Sequence, residues 1–198
     1  MNFPCSGVIL AGGLNTRLGG RDKAFIRVGG KRLLDRIYEV FSELFEEIIL
    51  VTNSPHQFLE WDLIIVTDLF AVRSSLTGIH AGLFYASNPY AFFTACDTPF
   101  LQKAVVKTVI EGIEKQVDIV MPETAAGREP LCAVYSKHCL LAAERHLRRN
   151  QLKIQRVFRK HRIKKIPEKI LRMQDPELLS FYNINTPEDL ARAEAMVP

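Results

Sequence analysis

The sequence predicts an α/β protein, a Rossmann-like three-layer αβα sandwich around a mostly parallel central sheet. Three observations carry this. Short apolar runs alternate with segments whose apolar residues recur at helical spacing. The first run, residues 7–10, is apolar throughout, as expected of a strand covered on both faces. Polar or acidic residues then follow directly on several runs, where open sheets of this kind bind their ligands.

Residues 7–10 form a buried strand that runs into a loop with four glycines, Gly12, Gly13, Gly19 and Gly20, together with Arg17 and Lys23. After a short extension at 24–28 and a Gly29-Gly30 turn, Leu33, Leu34, Ile37, Val40, Phe41 and Leu44 mark one apolar stripe on a helix over 31–45. Residues 48–51 form a second strand, closed by the polar turn Thr52-Asn53-Ser54-Pro55. A third covers 63–66 and meets Thr67 and Asp68. Residues 78–87 read as a helix with Ile79, Leu83 and Phe84 inward. A fourth strand over 92–96 ends in Asp97-Thr98-Pro99, then come a helix over 101–114 and a strand over 118–121.

The second half is less regular. Residues 131–135 predict a strand and 137–147 a helix. The segment 145–165 holds Leu152, Ile154, Val157 and Phe158, enough for a helix docked along one edge. Residues 181–185 predict a short strand that points Asn183 and Asn185 to one side. Thr186-Pro187-Glu188-Asp189 then opens the last helix, with Thr186 as N-cap and Pro187 in the first turn. No repeat or long linker interrupts the 198 residues, and a single domain is expected.

Composition narrows the function classes. No apolar run approaches ~20 residues, so no membrane-spanning helix is expected. The four cysteines, Cys5, Cys96, Cys132 and Cys139, form no Cys-x-x-Cys pair, which argues for a reduced, cytoplasmic setting and against a zinc site. The five histidines show no metal spacing. Residues 145–165 contain ten of the 26 Lys and Arg and none of the 22 Asp and Glu, so a net +4 chain is −6 elsewhere. Such a run is a solvated face, a polyanion-binding surface, or a binding surface for an anionic substrate.

The chemistry lies in the glycine loop. Glycines let backbone N–H groups approach a ligand closely, and Arg17 and Lys23 suit an anion. It is not a P-loop, because Gly29-Gly30-Lys31 is followed by Arg32 rather than Ser or Thr. Nor does it have the spacing of a dinucleotide fingerprint. Asp97, at a strand end, is either a helix cap or a ligand for Mg²⁺, which takes one or two carboxylates plus substrate phosphates. Asn183 and Asn185 either orient an acceptor phosphate, complete a metal shell or support the turn into the last helix. Cys96 reads as a packed residue rather than a nucleophile.

Leu10-Ala11-Gly12-Gly13, Arg17-x-Gly19-Gly20-x-Asp22-Lys23, Cys96-Asp97-Thr98-Pro99, Glu129-Pro130-Leu131 and Asn183-Ile184-Asn185-Thr186-Pro187-Glu188 together resemble the molybdenum cofactor guanylyltransferase family, within the nucleotidyltransferases. The resemblance spans the chain. It implies GMP transfer from GTP to the phosphate of molybdopterin, with residues 1–122 binding nucleotide and 123–198 the acceptor. It further implies that Leu10, Ala11, Gly12, Gly13, Lys23, Asn53 (or the neighbouring Thr52), Asp68, Gly78 and Asp97 bind nucleotide. Arg17, Lys23 and Asp97 would be catalytic, Asp97 would hold Mg²⁺, and Asn183 and Asn185 would face the acceptor. Molybdoenzyme or cofactor-insertion proteins are the implied partners, and nucleic acid is not expected. One departure touches base choice: Ser74-Ser75-Leu76-Thr77-Gly78 stands where the family has Gly-Pro-Leu-x-Gly. The rival readings are a transferase using CTP or a sugar phosphate, and a non-catalytic nucleotide- or RNA-binding adaptor.

Overall fold

The computed structural model describes residues 4–12 and 22–197. Arg17 and Gly13 lie outside the described residues.

The strands are β1 (Cys5–Leu10), β2 (Arg27–Val28), β3 (Lys31–Arg32), β4 (Ile48–Val51), β5 (Ile64–Val66), β6 (Tyr90–Ala95), β7 (Ile119–Thr124), β8 (Gly127–Arg128), β9 (Cys132–Ser136) and β10 (Ile163–Pro167). The helices are α1 (Leu33–Ser42), α2 (Ser75–Tyr85), α3 (Lys103–Glu111), α4 (Leu140–Leu147), α5 (Ile154–Val157), α6 (Glu168–Arg172) and α7 (Pro187–Ala195). The main sheet runs β10-β7-β9-β6-β1-β4-β5, with β8 paired to β7, while β2 and β3 form a separate hairpin. β1 is parallel to both β4 and β6, β4 to β5, and β7 to β10; β9 runs antiparallel between β6 and β7. The sheet is therefore mostly parallel, with β1 inside it.

Alternation along the strands builds the layers. Ile9, Leu50 and Phe92 face one core with Leu34, Ile37 and Phe41 of α1, Val105 and Val109 of α3 and Leu171 of α6. Val8, Ile49 and Phe93 face the other with Leu76, Ile79 and Leu83 of α2 and Ala143 and Leu147 of α4. Strands apolar on both faces are what this double cover requires. A third cluster seats α7 on the hairpin through Val28, Leu33, Ile184 and Ala193.

Three local expectations are corrected. The basic segment is not one edge-docked helix: α5 is a single turn, and residues 163–167 add β10 to the sheet edge. Asp118 draws the chain into that strand, accepting from Arg162 N at 3.0 Å while its own backbone N–H donates to Arg162 O at 2.9 Å. Residues 182–185 pair with no strand; their backbone tie to the sheet is Ile184 N to Asp97 O at 2.9 Å. Phe84 turns outward, 53 % exposed, stacked beside His80. The α7 cap follows expectation, with a reciprocal box between Thr186 and Asp189.

Candidate nucleotidyl-transfer site

Strand ends place the polar residues. Backbone bonds carry the ladder past each end: Ala11 N donates to Val51 O (2.9 Å), Thr52 N to Val66 O (2.9 Å) and Cys96 N to Leu10 O (3.0 Å). Leu10, Ala11 and Gly12 leave β1 beside Asn53, and a Cβ on Gly12 would lie 3.8 Å from Asn53 Nδ2. That amide donates to Asp68 Oδ2 at 2.9 Å, so the ends of β4 and β5 meet. Burial pushes the Asp68 carboxyl above its usual range, against the lowering pull of Asn53 and Arg73. Its Oδ1 is buried and accepts no hydrogen bond among the described residues. A buried acceptor of this kind is open to a donor from outside the described residues.

The second cluster lies at the end of β6. Thr98 Oγ1 donates to Ala95 O at 2.9 Å and meets Thr94 Oγ1 at 3.2 Å, which holds the turn that presents Asp97. Lys23 sits on a 3-10 turn, Lys23–Phe25, whose N-cap Asp22 accepts from Ala24 N at 3.0 Å. Lys23 Nζ donates to Asp97 Oδ2 at 2.8 Å and to Asn185 Oδ1 at 2.7 Å. An ammonium has three donors, and among the described residues two are used, which leaves one open to an anionic ligand. Both side chains of the Lys23–Asp97 pair are 16 % exposed, screened yet reachable. Asp97 and Asn185 thus share one cation, which lies 162 positions before Asn185 in sequence.

The donor set fits Mg²⁺. Asp97 Oδ1 is buried and accepts no hydrogen bond among the described residues, which leaves a hard oxygen ligand available. Those residues hold no cluster of three or more His, Cys, Asp or Glu for a metal, so an ion here would share its shell with substrate phosphates.

Other expected residues fall differently. Gly78 is buried in α2, where a Cβ would come within 3.0 Å of Leu10 Cδ2; it lets α2 approach β1. Asn183 donates to Phe181 O at 2.9 Å and, unlike Asn185, shows no bond to Lys23. Cys96 is buried and its thiol is pushed well above its usual pKa by desolvation, in keeping with a packing role. Sequence reasoning missed Asp175 and Ser180. Asp175 Oδ2 accepts from Ser180 N at 2.7 Å, and Ser180 Oγ accepts from Gln102 N at 3.0 Å. This buried relay anchors the chain that delivers Asn185, and no local pattern announces it.

A groove of about 490 Å³ is lined by Ser75, Pro130, Leu152, Lys153 and Arg156, among others. Pro130 lies two residues before β9, whose first residue, Cys132, pairs with Thr94 near the end of β6. The groove therefore opens on the same edge of the sheet as Asp97. Four cations of the basic run are tied to acids: Arg148 to Glu144, Arg162 to Asp118, Lys164 to Glu114 and Lys165 to Glu123. Lys153 and Arg156, at the groove, are exposed and form no ion pair among the described residues.

A mostly parallel sandwich with Lys23 paired to Asp97 at a strand end has the arrangement of a nucleotidyltransferase of Rossmann-like fold. Residues 7–166 match the model of the MobA-like NTP transferase domain, and the chain belongs to that family. A molybdenum cofactor guanylyltransferase from Desulfosudis oleivorans is 49% identical over 192 residues, 97% of this chain and 95% of the relative. Another, from Syntrophotalea carbinolica, is 31% identical over 188 residues, 94% and 89% of the two chains. The crystal structure of molybdopterin-guanine dinucleotide biosynthesis protein A from Archaeoglobus fulgidus superposes with a TM-score of 0.85 at 29% identity, covering 96% of this chain and 97% of that one. The 2-C-methyl-D-erythritol 4-phosphate cytidylyltransferase from Thermus thermophilus shares the fold, with a TM-score of 0.71 at 20% identity over 98% of both chains.

Proposed function

We propose that the protein transfers GMP from GTP to the phosphate of molybdopterin and releases pyrophosphate. The observation that carries this is the Lys23 ammonium held between Asp97 and Asn185, which joins the nucleotide half to the acceptor half at one point. The names of its relatives supply the substrates.

An acceptor phosphate is already ionised near neutral pH and needs no strong general base. Its oxygen attacks the α-phosphorus of GTP; the new P–O bond forms as the α–β bridge breaks, and pyrophosphate leaves with the electron pair. The protein's task is then positioning and charge neutralisation. Gly12, with Gly13 and Arg17, would take the triphosphate, and the Lys23 donor left open among the described residues would meet charge developing on the departing pyrophosphate. Asn53 and Asp68 would hold the nucleoside, ligand N–H or O–H groups satisfying Asp68 Oδ1. Asp97 would hold Mg²⁺ through its buried Oδ1, and that ion would supply neutralisation of phosphate charge. Asn185, with Asn183 beside it, would orient the acceptor phosphate, and the cations at the 490 Å³ groove would draw in the anionic acceptor. A cytoplasmic setting and a downstream molybdoenzyme or cofactor-insertion partner complete the proposal. Among the described residues no helix is long and apolar enough to cross a membrane.

Pyrophosphate release with GTP, CTP and ATP, each with molybdopterin and Mg²⁺, tests the reading. GTP is expected to support release that requires the acceptor. Equal or faster release with CTP would overturn the base assignment, and Ser74-Ser75 would then be the place to look.

A further inference from the structure

We propose that Trp61 is a positioning residue for Lys23, and that the Phe25–Phe58–Trp61 cluster keeps the Lys23 turn in register with the Asn53 loop. The proposal rests on the assignment of Lys23 to the triphosphate made above.

Lys23 heads a turn of only three residues. Two backbone bonds close it, Phe25 N to Asp22 O at 3.1 Å and Ile26 N to Lys23 O at 3.0 Å. So short a 3-10 turn has little stiffness of its own, because helical order is cooperative and its hydrogen bonds are poorly aligned. Side chains must supply the rest. Ala24 is fully buried. Phe25 packs on Phe58 with ring centroids 5.1 Å apart and on Trp61 at 5.9 Å, while Phe58 and Trp61 are 6.0 Å apart.

Phe58 and Trp61 belong to the chain that leaves Asn53, through the 3-10 turn Pro55–Phe58. The same three rings therefore hold both turns. Trp61 is fixed in its turn: its indole N–H donates to Asp35 Oδ1 at 3.0 Å, and the Arg32 guanidinium lies 4.3 Å over its ring. That guanidinium donates to Asp35 at 2.8 and 3.0 Å and to Glu60 at 2.7 and 2.9 Å. Asp35 lies in the first turn of α1 and Arg32 is that helix's N-cap residue, so the clamp is referred to the start of α1. From this frame the turn delivers Nζ to Asp97 and Asn185 at hydrogen-bond distance, so where the turn sits sets where the ammonium can reach.

A double-mutant cycle separates positioning from general stability. The variants are Trp61→Ala, Trp61→Phe, Lys23→Ala and the pair Lys23→Ala/Trp61→Ala, assayed for kcat and KM at a temperature where circular dichroism shows each folded. Trp61→Ala is expected to lower kcat/KM between about tenfold and about a hundredfold, chiefly in kcat, as a misplaced group does. Trp61→Phe keeps the ring packing and should stay within about threefold. On the Lys23→Ala background, Trp61→Ala should cost less than about twofold. Full additivity in the cycle would overturn the proposal.

A second readout needs no Trp61 variant and serves should Trp61→Ala not fold. Trp61 is the only tryptophan in the sequence, so intrinsic emission reports its surroundings alone. Saturating GTP with Mg²⁺ should shift that emission in the wild type and not in Lys23→Ala, with binding to both followed by calorimetry. Bound GTP without a shift in the wild type would contradict the coupling. A shift on binding without any GMP transfer to molybdopterin would sink the functional reading and leave the coupling in place.

Discussion

The two halves of the molecule position their site residues by different means. In the half proposed to bind nucleotide, Gly12, Asn53, Asp68 and Asp97 lie just beyond the carboxyl ends of β1, β4, β5 and β6, and backbone bonds extend the parallel ladder beyond those ends. In the half proposed to bind the acceptor, Asn185 lies on chain that joins no strand among the described residues. It is held by a single backbone bond at Ile184, a buried Asp175–Ser180 relay and the α7 capping box. A ladder fixes a residue through many cooperative bonds, whereas a relay of side chains fixes it through a few replaceable ones. The first arrangement suits the shared chemistry of phosphate transfer. The second suits an acceptor site that can vary between relatives of one fold.

This contrast predicts an order of effects. The largest belongs to the strand end of β6. Asp97→Ala should lower kcat by about a thousandfold, near the top of what a preorganised charged group supplies. Its melting temperature should stay close to wild type, because the Thr94–Thr98–Ala95 bonds that hold the turn remain. Near-normal turnover would remove Asp97 from the mechanism. Next comes Lys23→Ala, expected to lose about 2–4 kcal/mol of transition-state stabilisation in kcat/KM. An unchanged kcat/KM would place Lys23 outside the site.

Effects in the acceptor half should be smaller and of another kind. Lys153→Ala with Arg156→Ala should raise KM for the acceptor by about three- to tenfold and leave KM for GTP unchanged, since exposed cations attract more than they orient. The wild-type acceptor KM should rise with salt more steeply than that of the variant. A KM for GTP that moved instead would assign the groove to the nucleotide.

The smallest effect on turnover falls at Asp118, on the opposite edge of the sheet. Burial alone would raise its carboxyl pKa, but hydrogen bonds from Arg162 and His138 hold it below the usual value. A carboxyl lowered on folding contributes stability above its unfolded pKa and loses it as pH falls through the folded one. Asp118→Asn should therefore be less stable than wild type at neutral pH, by about 1–3 kcal/mol for a broken partly buried network. Thermal melts of the two proteins should converge in acid, with kcat unchanged throughout. A gap that persisted at low pH would show that the ionised carboxylate is not what holds β10.

The same contrast explains what could be read from the residues. Runs such as Ile48-Ile49-Leu50-Val51, buried on both faces, announce themselves, and the polar residue that follows each is placed by the strand end. Asn53, Asp68 and Asp97 were legible for that reason, and Thr186-Pro187-Glu188-Asp189 because a capping box is local. The 145–165 segment was not. Its apolar residues belong partly to the single turn of α5 and partly to β10, an edge strand whose pairing with β7 is set by Asp118, far away in sequence. The alternation of Asn183 and Asn185 suggested a strand, yet Ile184 is buried by packing under α7 rather than by a ladder. Asn185 reaches Lys23 only through tertiary contacts, and those are invisible to spacing.

On the proposed function, GMP changes hands at the point where Lys23 joins Asp97 to Asn185. Incubating the protein with molybdopterin, Mg²⁺ and GTP labelled at the α-phosphate, beside Asp97→Ala, tests it most directly. Label is expected on the pterin product, with unlabelled pyrophosphate released in equal amount, both lost in the variant. Label that stays with free nucleotide in the wild type, or that reaches the pterin equally in Asp97→Ala, would contradict it.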